Sequence, residues 1–157
     1  MKITLILNGK TEDDYILKGF SIYEQRLKHY IAFDTIIIPG LKNAKALDFE
    51  QQKKKEAELI FKNIQPSDKV ILLDENGKEY SSIEFSELIQ KQMNSGIKNL
   101  VFVVGGPYGF SDDVYARANG KLSLSKMTFS HQMVRLFFSE QLYRSMTILK
   151  NEPYHHH

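Results

Sequence analysis

The sequence predicts an α/β fold, a largely parallel sheet flanked by helices in a single domain over residues 1–157. Three observations predict it. Apolar runs rich in β-branched residues recur at Lys2–Leu7, Phe33–Ile38, Lys69–Asp74 and Asn99–Val104, the pattern of strands covered on both faces. Between them lie segments whose apolar residues repeat at helical spacing, and such alternation of strand and helix builds a parallel sheet. The fourth run ends in Val101-Phe-Val-Val-Gly-Gly-Pro-Tyr-Gly109. Its glycines let the main chain turn tightly and let a ligand approach the backbone. Open α/β sheets bind ligands beyond the carboxyl ends of their strands, so this loop is a candidate small-molecule site. A plain glycine turn between strand and helix accounts for the same residues about equally well.

The elements follow in order. Asn8-Gly9-Lys10 turns out of the first strand, and Thr11 with the acids to Asp14 supplies helix-start residues. Tyr15, Ile16, Phe20, Tyr23 and Leu27 mark the inner face of a helix running to about Tyr30. The second strand stops at Pro39-Gly40. From Leu41 to Asn63 the chain carries Lys42, Lys45, Lys53, Lys54, Lys55 and Lys62 with three glutamates among them; Ala57, Ile60, Phe61 and Ile64 give its second half a core-facing side. A lysine face for a phosphate backbone and a solvated helix surface both explain it, and the interleaved acids favour the second.

The third strand closes on Asp74, and Glu75-Asn-Gly-Lys78 is a turn signal. Ser81 or Ser82 caps a helix with Phe85, Leu88, Ile89 and Met93 inside, ended by Asn94-Ser-Gly96. After the glycine loop, Ser111 opens a short helix to Ala118, and Lys121–Leu124 forms a short fifth strand. Ser130 caps the last helix, His131 to about Leu149, whose wide apolar side (Val134, Phe138, Leu142, Met146, with Met133 and Phe137) is broad enough for both a core and a partner subunit.

Composition narrows the function. The chain has 157 residues, 42% hydrophobic and 25% charged, and no run near the ~18 apolar residues of a membrane span. The absence of cysteine excludes disulfides, thiolate nucleophiles and cysteine metal sites, and fits a cytoplasmic protein. A net charge of +2 is far from that of a small autonomous nucleic-acid binder. Three of the five histidines, His155, His156 and His157, close the chain, as a native tail or a purification tag would. A dinucleotide fingerprint after the first strand, a phosphate-binding loop, a G-x-S-x-G elbow and an H-E-x-x-H metal motif are all missing, and no metal is expected. A nucleotide-binding module without catalysis and a dimeric interaction protein built on the last helix remain open on this reading.

Five segments together carry a resemblance. They are Leu72-Leu-Asp-Glu-Asn-Gly-Lys78, Val103-Val-Gly-Gly-Pro-Tyr-Gly109, Leu122-Ser-Leu-Ser-Lys-Met-Thr-Phe-Ser-His131, Glu140-Gln-Leu-Tyr-Arg144 and Pro153-Tyr-His155. In this order, over the whole chain, the sequence resembles the RlmH family of bacterial ribosomal RNA methyltransferases, within the knotted SPOUT superfamily. Tyr108 stands where relatives often carry an acidic or amide residue, and Ser130 where many have proline. The resemblance implies a homodimer that uses S-adenosylmethionine to methylate N3 of a pseudouridine in a 23S rRNA hairpin, on assembled ribosomes. It implies a C-terminal trefoil knot, roughly residues 69–157, with Leu73, Gly105, Gly106, Leu124, Ser125, Lys126, Met127, Thr128 and Phe129 around the methyl donor. Beside it, Tyr154 and His155 are candidates for positioning the substrate or removing its proton, and Arg144 for holding a phosphate or base carbonyl. A salt bridge to Glu140, at i, i+4, would explain Arg144 as well. His131 reads first as a helix-start residue.

Overall fold

A computed structural model describes residues 1–41 and 44–156; Lys42 of the lysine-rich segment and His157 of the terminal histidines lie outside the described residues. Five parallel strands form one sheet in the order β2-β1-β4-β3-β5, with β1 Lys2–Asn8, β2 Ala32–Ile38, β3 Lys69–Glu79, β4 Asn99–Val104 and β5 Gly120–Ser123. The helices are α1 Asp14–Leu27, α2 Phe49–Lys62, α3 Ser82–Asn94, α4 Asp112–Arg117 and α5 His131–Leu149.

The pleat divides the core in two. Leu100, Phe102 and Val104 of β4 face Phe20 and Leu27 of α1, Phe85 and Ile89 of α3, and Phe138, Leu142 and Met146 of α5. Val101 and Val103 face the other way, onto Ala57 and Ile60 of α2 and Val114 of α4. Every β4 residue from Leu100 to Val104 is buried, because a central parallel strand is covered by helices on both sides.

Local chemistry sets most boundaries. Asp48, Ser81, Ser111 and Ser130 each accept a hydrogen bond from a first-turn amide, and Gln51 and Glu84 complete capping boxes on α2 and α3. Ser81, not Ser82, is the cap of α3. At α1 the expected threonine cap is not used: Asp13 takes the cap position, and the Thr11 hydroxyl accepts from Arg135 of α5 instead. Helix α1 ends at Leu27 rather than Tyr30. Tyr15 is exposed, as is Phe61 of α2, so neither belongs to its helix's inner face.

The clearest departure lies at Glu75–Lys78. These residues do not end β3 as a turn; the strand runs on to Glu79, and its pairing with β5 shifts between Leu73 and Lys78 so that Leu122 faces both. Gly77 makes this fit: a Cβ there would stand 2.6 Å from the Leu122 amide nitrogen. Strand β5 ends one residue early, at Ser123, which releases Leu124 into the following loop.

Candidate active site

The segments leaving β4 and β5 meet the middle of β3, at its register shift, and bound a cavity of about 560 Å³, within the usual range for a small-molecule site. The β4 exit supplies Gly105 and Gly106. A side chain at Gly105 would meet the Phe110 ring at 2.9 Å, and one at Gly106 the Asn8 amide at 3.0 Å. Gly109, at φ 80°, closes the loop through a bridge to Gly106, a conformation that favours glycine.

Eight of the nine residues expected around a donor line this cavity: Leu73, Gly105, Gly106, Leu124, Ser125, Met127, Thr128 and Phe129. Lys126 does not, and is exposed. The loop after β5 holds its shape through its own serines, with the Ser123 hydroxyl donating to the Ser125 carbonyl and the Met127 amide donating to Ser125 Oγ. Ser130, where the family pattern often has proline, caps α5 and so starts the helix that carries His131 to the cavity wall.

Asp74 and Arg135 were not singled out as candidates by the sequence, and of the two only Asp74 lines the cavity. Asp74, at the carboxyl end of the first β3 segment, accepts from the Tyr115 hydroxyl and from the Asn76 amide. Burial and this carboxylate push the Tyr115 phenol up to about 12, so it stays a donor at neutral pH. The same rule that picked out Gly105, a ligand beyond a strand's carboxyl end, applies to Asp74. His131 also lines the cavity; burial, then Arg135, lowers its pKa, so its neutral form is favoured.

Arg135 is the other missed residue. It is wholly buried, although it lies beside the apolar Val134 and Leu136. A charged residue in an apolar helix stretch was the available signal.

Arg144, Tyr154 and His155 are brought together, but not at the cavity. The Arg144 guanidinium pairs with Glu140, lies 3.1 Å from His155 Nδ1, and sits over the Tyr154 ring at 4.8 Å. The Tyr154 hydroxyl donates to Glu140 at 2.9 Å. Burial, then Tyr23 and Glu140, raises the Tyr154 pKa. Arginine only donates, so its contact leaves Nδ1 of His155 as acceptor and the imidazole proton on Nε2. Arg144 lies roughly 20 Å along α5 from His131, and Tyr154 and His155 come from the tail that follows the helix. The salt bridge of Arg144 to Glu140 is present.

The fold and this cavity define an α/β protein with a candidate small-molecule site where three parallel strands meet. The SPOUT methyltransferase family, described as Predicted SPOUT methyltransferase, matches residues 1–155. Ribosomal RNA large subunit methyltransferase H of Christiangramia forsetii is 64% identical over 156 residues, covering 99% of both chains. The protein of that name from Flavobacterium psychrophilum is 63% identical over the same coverage. A solved structure, a probable methylase family protein from Haemophilus influenzae Rd KW20, shares the fold at a TM-score of 0.53 and 14% identity, over 95% of this chain and 66% of that one. The chain belongs to the SPOUT methyltransferase family, within its RlmH branch.

Proposed function

We propose that this protein transfers a methyl group from S-adenosylmethionine to N3 of a pseudouridine in 23S rRNA, acting on assembled ribosomes in the cytoplasm. The observation that carries the reading is the cavity at Gly105 and Gly106, set in a chain that is 64% identical to a ribosomal RNA large subunit methyltransferase H.

The residues fit the donor. Leu73, Leu122, Leu124 and Phe129 offer apolar surface for a flat purine, and the glycine loop offers main-chain groups for its polar edge. Asp74 and Glu75 put carboxylates on the wall facing a group with a positive sulfonium and an ammonium. Bound there, S-adenosylmethionine supplies an electrophilic methyl group. The chain's task is orientation, which alone can account for much of the acceleration.

The tail supplies donors rather than a base. Tyr154 keeps its proton and donates it to Glu140, Arg144 donates, and the contact with Arg144 puts the His155 imidazole proton on Nε2. Such a set suits the carbonyls flanking N3. Donors there stabilise the anion left when the N3 proton leaves to solvent, and they act where charge develops.

A homodimer completes this reading. One chain's tail does not line its own cavity, so the tail that serves it comes from a second copy. Exposed Phe137 lines a smaller groove of about 240 Å³ between α3, α5 and the β5 exit, with Phe85, Leu122, Leu124 and Phe129, apolar surface suited to such a partner. The single-domain reading and the C-terminal knot belong to the same proposal, supported by the meeting of the β4 and β5 exits with the middle of β3 at one cavity.

Radiolabelled donor incubated with ribosomes lacking the modification tests the function. Label is expected at one nucleotide of 23S rRNA; a labelled small-subunit RNA or no label at all overturns it. Ribosomes are expected to be better substrates than free rRNA, since a net charge of +2 gives little affinity for naked RNA.

A further inference from the structure

Phe49 and Tyr108 are stacked on each other, ring centroids 4.0 Å apart and planes 24° from parallel. They come from different elements, the first residue of α2 and the tip of the glycine loop. Both remain in water, Phe49 58% exposed and Tyr108 46%. Apolar rings held face to face yet left wet are surface available to a third flat group. Their place gives the stack meaning, because Tyr108 is itself part of the cavity wall.

Helix α2 meets the loop at two points two turns apart. Phe49 lies on Tyr108, and the Glu56 carboxylate lies against Gly106 and Asn8. The solvent side of α2 carries exposed Lys54, Lys55 and Glu58, and Lys45, Asp48 and Glu50 are exposed before and at its start; the three lysines enter no ion pair among the described residues. This surface covers the sheet face opposite α5, so a partner docked on Phe137 leaves it open.

N3 lies on the pairing edge of its base, so the target nucleotide must leave its stack to be methylated. Its neighbour then loses a stacking partner. Resting on the methyltransferase reading above, we propose that Phe49 and Tyr108 form a stacking platform for the RNA base next to the target nucleotide. Aromatic stacking tolerates any base, so the platform adds affinity for an opened strand rather than sequence preference.

Phe49 is the residue to change, because it does not line the cavity. The measurements are kcat and KM with ribosomes lacking the modification, donor affinity by calorimetry, and the melting temperature. Phe49→Ala is expected to raise the ribosome KM about tenfold while kcat and donor affinity hold, and Phe49→Trp to restore it. Phe49→Leu, which keeps apolar volume without a ring face, is expected to behave as Phe49→Ala. An unchanged KM in Phe49→Ala, a wild-type KM in Phe49→Leu, or a parallel loss of donor affinity overturns the platform and leaves the enzyme reading standing. Failure of the wild-type protein to label ribosomes overturns both.

Discussion

Arg135 of α5, itself wholly buried, donates Nη2 to the carbonyl oxygen of Asn8, the last residue of β1, at 2.7 Å. Its Nη1 reaches the Gly9 carbonyl at 2.8 Å and the Thr11 hydroxyl at 3.1 Å. One guanidinium thus ties the cavity helix to the turn out of the first strand. Burial lowers its pKa, and the planar fork is what satisfies several acceptors at once.

Replacing Arg135 by leucine leaves two half-buried carbonyls without this donor. A loss of about 3 kcal/mol in unfolding free energy is expected, read by urea denaturation. Arg135→Lys is expected to recover only part of it, since an ammonium cannot span both carbonyls in the same geometry. Equal stability of Arg135→Leu and wild type would refute the role.

Glu56 gives a pH dependence. Burial raises its pKa above 4.5, opposed by a hydrogen bond from Asn8. A carboxyl whose folded pKa is raised binds its proton more tightly when folded, so stability declines as pH rises from the unfolded value through the folded one. Glu56→Gln resembles the protonated form. Its melting temperature is expected to exceed that of wild type at pH 8, with the gap closing toward pH 4. A gap independent of pH would contradict this assignment.

Gly77→Ala tests the continuation of β3. Its Cβ would lie within 2.7 Å of three main-chain atoms of Lys121 and Leu122, and backbone cannot step aside as a flexible side chain can. A cost of roughly 1–3 kcal/mol is expected, with weaker donor binding because Leu122 lines the cavity. A neutral substitution would mean that the β3–β5 pairing is looser than drawn.

The tail separates binding from transfer. Removing residues from Tyr154 onward is expected to abolish methyl transfer while leaving donor affinity within about twofold. Arg144→Ala is expected to lower kcat by about 10²-fold with a similar donor affinity. Calorimetry and single-turnover labelling read the two halves separately; a truncated protein as active as the full chain would remove the tail from the site.

The sequence by itself determined the elements and the wall of the site. Strand β4 was legible to the residue because an apolar run ended by two glycines has one economical reading, and Ser111 and Ser130 announced their helices because capping is local chemistry. Motif order did the same for Gly105, Gly106 and most of Leu124–Phe129. Tertiary structure decided what depends on distance: Glu75–Lys78 stays in a strand because Leu122 packs on Gly77, and Thr11 serves Arg135 rather than its own helix. It also put Phe49 on Tyr108 and kept Arg144, Tyr154 and His155 away from the cavity of their own chain. Periodicity and caps are read over a few neighbouring residues, whereas these pairings join segments that only the folded sheet brings side by side.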